Sequence, residues 1–229
     1  MHLSKSKKKI YFYLILFFLL TTIINLNLVN IFKKNFLIKS IQINSNNNEI
    51  NPKIMDKIKY VLNKNIFSVE KEILYDSLYS LQFLENISIK KKYPSSIIVF
   101  ANKTEFIATT YLNQKKYYIG ENGKITNAYD FLSGDKLPII FGKFNTSEYI
   151  TFINILKKHG IKIDKINKFY FHKNKRWDLY FDNNILVKLP SKETDDALKL
   201  YNNFIKEKKL KSKMTIDLRI PQRIITSYE

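Results

Sequence analysis

The chain has no cysteine, and its 229 residues include only five glycines, five prolines and one tryptophan. Without cysteine there is neither a disulfide nor a thiolate metal site. Glycine is too sparse for a glycine-rich phosphate loop, and no such loop occurs. The first alanine is Ala101 and no glycine precedes Gly120, so the N-terminal part lacks the small residues at which a signal peptide is cut. Histidine is scarce too. His2, His159 and His172 are the three, and none stands in a sequence pattern with an acid and a nucleophile. Asp195 and Asp196 are a carboxylate pair on paper, but neighbours on a helix do not face each other, and acids in a first turn simply suit the helix dipole. No metal-ligand spacing occurs. These absences point away from an enzyme, a cofactor, a metal and a small-molecule substrate.

The chain is rich in apolar residues near its start. From Ile10 to Val29 the sequence is almost wholly apolar, and nothing charged lies between Lys9 and Lys33. A helix needs about 20 such residues to cross a bilayer. Lys5, Lys7, Lys8 and Lys9 precede the run, which favours a cytoplasmic N-terminus. The expectation is a cytoplasmic tail over 1–9, an uncleaved transmembrane helix over 10–31, and a body outside the cytoplasm.

The formal charge of +19 raises the question of nucleic acid. The excess is diffuse, however, and a reader of nucleic acid concentrates charge on one face or arm. Lysine supplies nearly all of it: of 39 basic residues only Arg176, Arg219 and Arg223 are arginine. The expectation is a solvated surface and no nucleic-acid partner.

Periodicity divides the body in two. Ile41 and Ile43 alternate with polar residues, as in a half-buried strand. Asn51 and Pro52 open a helix with Ile54, Ile58, Val61 and Leu62 on one face. A second helix over Glu70–Leu81 carries Ile73, Leu74, Leu78 and Leu81. Phe83–Tyr93 and Ser96–Ala101 read as strands about a Pro94-Ser95 turn. A sheet with two helices on one face buries all these stripes, giving a small α+β domain over 36–105. Beyond it, Glu121-Asn122-Gly123 marks a hairpin, and Leu137–Phe141 reads as a short strand. Thr146 or Ser147 caps a helix bearing Tyr149, Phe152, Ile153 and Leu156, which Gly160 ends. Trp177–Phe181 and Ile185–Leu189 alternate about Asp182-Asn183-Asn184. Pro190 and Ser191 open a helix whose face is Ala197, Leu198, Tyr201, Phe204 and Ile205. Met214–Ile220 reads as the last strand, at an edge or ending at Pro221. Residues 106–229 are expected to form a mostly antiparallel sheet with two helices against it.

This layout resembles the FtsQ/DivIB family of bacterial cell-division proteins. The resemblance rests on Ile41-Gln42-Ile43, Leu81 with Phe83-Leu84-Glu85-Asn86, Tyr93-Pro94, and Glu105 with Ala108. Further along it rests on Tyr118-Ile119 with Gly123, Leu137-Pro138, Arg176-Trp177-Asp178-Leu179, Leu189-Pro190 and Asp217-Leu218-Arg219. It implies that 36–105 is a POTRA domain and 106–229 an FtsQ-type β-domain. It also implies a single-pass type II protein of the inner membrane, concentrated at the septum. The implied role is a non-catalytic divisome scaffold that binds FtsB- and FtsL-type partners, with septal peptidoglycan synthases nearby, by strand addition at its last strand. The alternative is a POTRA-bearing protein of a secretion or outer-membrane assembly system, though no barrel-length set of strands is present. The final stretch, Met214–Ile224, is the expected free edge. By position the resemblance maps partner contacts to Lys175 or Arg176 and to Ile220, Gln222 and Arg223. Arginine persists against a lysine bias in just these stretches, and its planar fork grips carboxylates as lysine cannot. Arg219 is equally consistent with an internal pair to Asp217, and Trp177 with a core position.

Overall fold

The computed structural model describes residues 5–22, 34–131, 136–207 and 213–228. The chain divides into two compact units, Met1–Asn102 and Lys103–Glu229. Helix α1, Lys5–Thr22, opens the first. The expected membrane span is helical from Ile10 to Thr22, and its remainder, 23–31, lies outside the described residues. Among the described residues no helix is long and apolar enough to cross a membrane.

The rest of the first unit runs β1 (Ser40–Ser45), α2 (Asn51–Ile58), α3 (Lys71–Tyr79), β2 (Leu84–Lys92) and β3 (Ser96–Lys103). The sheet order is β1-β3-β2, and β1 lies parallel to β3 with Ile41 opposite Ile97 and Ile43 opposite Val99. Helix α2 packs on β1 and on α3, and α3 packs on β2. Ile54, Ile58, Val61, Leu74 and Leu78 are fully buried. Two details differ from the sequence reading. Asn51 is not the cap. It already has helical dihedrals, and Asn47 caps the preceding 3₁₀ turn by accepting the Glu49 N–H at 2.8 Å. Ile73 is 52% exposed, because α3 is a short helix whose buried side is only Leu74 and Leu78 wide.

The second unit is one sheet of nine strands: β4 (Phe106–Leu112), β5 (Lys115–Gly120), β6 (Ile125–Asn127), β7 (Ile139–Phe141), β8 (Ile166–Phe171), β9 (Trp177–Phe181), β10 (Ile185–Lys188), β11 (Met214–Asp217) and β12 (Ile225–Tyr228). Helices α4 (Thr146–Lys158) and α5 (Thr194–Glu207) complete it. The spatial order is β12-β11-β10-β9-β8-β7-β4-β5-β6. Most pairings are antiparallel, as expected, but β7–β8, β10–β11 and β4–β7 are parallel. Parallel neighbours need a long crossover. Here α4 makes the crossover from β7 to β8, and α5 the one from β10 to β11.

That connectivity puts both helices against one face of the sheet. Tyr149, Phe152, Ile153 and Leu156 of α4 and Ala197, Leu198 and Tyr201 of α5 share one core with Ile140, Phe169, Leu179, Val187 and Ile216. Trp177 lies at its centre, stacked on Phe152 with ring centroids 5.0 Å apart and close to Phe171 at 4.6 Å. Asn145 caps α4 in place of Thr146 or Ser147, in a capping box closed by Glu148. At the other end of α4, His159 Nε2 lies 2.8 Å from Asp195 Oδ1, and Asn202 Nδ2 donates to the His159 carbonyl at 2.7 Å. The two helices are thereby clipped together. His159 and Lys158 hold the exposed Asp195 carboxyl below its ordinary range.

Within this core the Tyr149 hydroxyl is buried with no hydrogen-bond partner among the described residues. Burial pushes its ionisation well above the ordinary tyrosine range. An unpaired buried hydroxyl costs about 1–3 kcal/mol. Tyr149→Phe, which keeps the ring against Phe169 at 5.3 Å, is therefore expected to stabilise the second unit by about 1 kcal/mol. Urea unfolding followed by the emission of the single tryptophan would measure it; a destabilised variant would show the hydroxyl to be satisfied.

Candidate partner-binding edge

Position 217 is where the last part of the chain departs from expectation. Strand β11 ends there, and the chain turns and returns as β12. In register, Met214, Thr215, Ile216 and Asp217 lie opposite Tyr228, Ser227, Thr226 and Ile225. Strand β11 is thus enclosed between β10 and β12, and Met214 and Ile216 are buried. The expectation that Met214–Ile224 is the free edge is corrected: the edge is Ile225–Tyr228. Pro221 explains the difference. It does not end the sheet but opens a tight turn, in which the Arg223 N–H donates to the Ile220 carbonyl at 3.2 Å and Gln222 takes φ +59°.

Every residue of β12 is exposed, with Ile225 at 51% and Tyr228 at 61%. Natural edges are blunted by lysine, proline, bulges or brevity. At the opposite edge, β6 is only three residues long and runs straight into a 3₁₀ turn. Strand β12, by contrast, reads Ile-Thr-Ser-Tyr, a run of high strand propensity with no charge and no proline.

Asp178, Lys188, Asp217 and Ile225 lie opposite one another on successive strands, a row on the face away from the helices. Two of the three arginines are bound into this row. Arg176 grips Asp178 through both carboxylate oxygens, Nε to Oδ1 at 3.1 Å and Nη2 to Oδ2 at 3.2 Å. His172 Nε2 lies 2.8 Å from the same Oδ2. Asp178 is 5% exposed, so this pair is internal to the fold. Arg219 holds Asp217 in the same manner, Nε to Oδ1 at 2.8 Å and Nη2 to Oδ2 at 2.5 Å, and its backbone N–H adds a third bond at 3.0 Å. The guanidinium beside it keeps the Asp217 carboxyl below its ordinary range. The stability this lends is complete above the usual carboxylate pKa of about 3.9 and is lost as pH falls through the depressed value.

The remaining expected contacts are solvent-facing. Lys175 sits at φ +61° in the turn between β8 and β9, and its Nζ lies 3.7 Å from Glu148. Ile220, Gln222 and Arg223 are exposed on the turn into β12, and Arg223 makes no ion pair among the described residues. Arg176, Arg219, Ile220 and Ile225 line one open groove of about 530 Å³ with Pro190 and Lys192. A second groove of about 340 Å³, lined by Leu200, Leu218, Ile220 and Gln222, shares Pro190, Lys192 and Pro221 with it. Five of the six expected residues therefore lie around the start of β12 or line grooves beside it, whereas Lys175 lines a separate cleft with Trp177 and Thr194. What the sequence reading missed is β12 itself. The signal was present as four residues of strand propensity just after a proline turn.

Comparison with known proteins bears on this region. Residues 110–219 match the family model described as cell division protein FtsQ/DivIB, C-terminal. Residues 110–219 thus carry the C-terminal domain of the FtsQ/DivIB family. It is similar to proteins named cell division protein FtsQ from Bradyrhizobium diazoefficiens, 21% identical over 69% of this chain and 46% of that one, and from Rickettsia bellii, 23% identical over 76% and 65%. The Rickettsia conorii protein of the same name is 24% identical over 82% of this chain and 70% of its own. The chain thus spans less than two thirds of the first two FtsQ proteins. Among solved structures it is similar to the extracytoplasmic domain of the division protein DivIB from Geobacillus stearothermophilus, at TM-score 0.31 and 14% identity, covering 48% of this chain and 98% of that one. The FtsQ/DivIB match ends at Arg219, before the turn and before β12.

Proposed function

We propose that this chain is a non-catalytic scaffold of the bacterial division machinery that holds a partner by adding a strand to β12. On this reading residues 10–31 anchor it in the inner membrane in a type II orientation, 36–105 are a POTRA domain and 106–229 the FtsQ-type β-domain. The partners are division membrane proteins of the FtsB and FtsL type, with septal peptidoglycan synthases in the same assembly. The observation that carries the reading is an uncharged edge strand, exposed at every residue, beside two open grooves. Such an edge offers backbone donors and acceptors to an incoming segment, and the grooves offer places for its side chains. Gln222 and Arg223 supply polar and cationic contacts at the rim and Ile220 an apolar one, while Lys175 offers a further cation from the separate cleft it lines. Arg176 and Arg219 shape the rim through Asp178 and Asp217. The family match and the FtsQ relatives support the division role.

A fluorescent fusion to the N-terminus, expressed at native level, is expected to concentrate at mid-cell in dividing cells. An even distribution around the envelope throughout the cycle would overturn the proposal.

A further inference from the structure

One end of the first unit is made of three segments, Lys34–Lys39, Asn63–Ser68 and Lys90–Ser95. Backbone bonds lace them together. Ile66 N–H donates to the Phe36 carbonyl at 2.8 Å, Ile38 N–H to Lys64 at 2.9 Å, and Lys39 N–H to Ser95 at 2.8 Å. The lacing brings three rings into a column, Phe36 to Phe67 at 5.0 Å and Phe67 to Tyr93 at 5.1 Å. A column of this size normally lies in a core. Here Phe67 is 61% exposed and Tyr93 is 54% exposed. The three segments together hold six lysines and no acid, although the chain as a whole has one acid for every two bases. Exposed aromatics set among lysines are the composition of a surface that sits at the boundary of a bilayer, rings at headgroup depth and ammonium groups on lipid phosphates.

We propose that this aromatic, acid-free end docks on the headgroup layer of an anionic membrane. The proposal rests on the reading that residues 10–31 span the bilayer. Given that anchor, Phe36 is five residues beyond the end of the span, a distance of at most about 18 Å along a fully extended chain. The ring column is therefore kept close to the lipid surface, and at that effective concentration even a weak surface affinity is satisfied. The lysines favour the anionic component and make the docking salt-sensitive.

The lack of cysteine makes the test clean, since any single introduced cysteine carries the only label. The full chain is reconstituted into vesicles of phosphatidylethanolamine and phosphatidylglycerol, with an environment-sensitive fluorophore at Ser68→Cys beside the column, at Asn183→Cys on an exposed turn of the second unit, or at Leu16→Cys in α1. Headgroup spin-labelled lipid is expected to quench the Ser68 label and not the Asn183 label. Quenching at Ser68 should fall to the Asn183 level in Phe67→Ser/Tyr93→Ser, in Lys64→Glu/Lys92→Glu, in phosphatidylcholine vesicles and at high salt. The altered side chains are solvent-facing, so the fold is retained, as unchanged circular dichroism would verify. Acyl-chain spin labels that quench Leu16 while headgroup labels leave Ser68 untouched would overturn the docking and leave the anchor standing. An unquenched Leu16 would overturn the anchor and the docking with it. A Ser68 signal that changes with protein density but not with spin-labelled lipid would show a second copy on the column and refute a lipid surface.

Discussion

Proline at Thr226 or at Ser227 is expected to abolish capture of an added strand in one of the two variants while leaving that variant folded. Successive residues of a strand send their N–H groups to opposite sides. Of these two adjacent positions in β12, one therefore donates toward β11 and the other toward open solvent, where a partner would lie. Proline on the solvent side removes a donor that the protein's own ladder does not use, and places its ring where the partner's backbone must approach. The variant on the other side loses a bond to β11 and frays the hairpin. The diagnostic is the pair: one variant with unchanged unfolding and binding weakened roughly tenfold or more, the other with weakened unfolding. A lost backbone bond is worth about 1 kcal/mol net, and every 1.4 kcal/mol is about tenfold, so the steric clash must supply the rest. Biolayer interferometry of the purified full chain against the extracytoplasmic segment of an FtsB-type protein would measure it. Both variants binding as the parent does would remove β12 as the docking strand.

Arg176→Leu is expected to destabilise the second unit by about 3 kcal/mol, the cost of stranding a buried carboxylate. Asp178 is 5% exposed and Arg176 neutralises it through two bonds. His172, 2.8 Å from the same carboxylate, offsets only part of the loss. For a unit of this size the change corresponds to a fall in Tm of about 10 °C. The double variant Arg176→Leu/Asp178→Leu should recover much of it, because a buried pair replaced as a whole by apolar groups is close to neutral. Trp177, the only tryptophan and part of the core next to both residues, reports unfolding directly in urea. A single variant as stable as the parent would show that the pair carries no structural weight. The contrast with Arg223, exposed on its turn, is useful. Arg223→Glu should change stability by less than about 0.5 kcal/mol, so it tests the binding surface without touching the fold. Arg176 does not offer that separation.

Local pattern accounts for the elements that were legible before the fold was known. The stripe Tyr149, Phe152, Ile153 and Leu156 and the alternation around Asp182-Asn183-Asn184 are short-range regularities, and each became the helix or hairpin it spelled. Caps were misread by one to four residues. Several asparagines and hydroxyls stood in line, and only backbone dihedrals select among them, as at Asn47 and Asn145. Strands β4 and β8 escaped notice. They are covered on both sides in part, so their polarity does not alternate cleanly, as the buried Thr109 and Thr110 of β4 illustrate.

The site divides along the same line. That residues near 176 and 219–223 would matter could be read from where arginine persists, and the fold does place Arg176 and Arg219 in one groove wall. Whether those arginines face a partner or the protein itself could not, because Asp178 and Asp217 come into line only when β9, β10 and β11 pair. The amino-acid pattern alone determined two α+β bodies behind an apolar helix, because burial periodicity is a property of each segment. Only tertiary pairing decided that β11 is enclosed and β12 open, because an edge is a relation between strands and no single strand carries it.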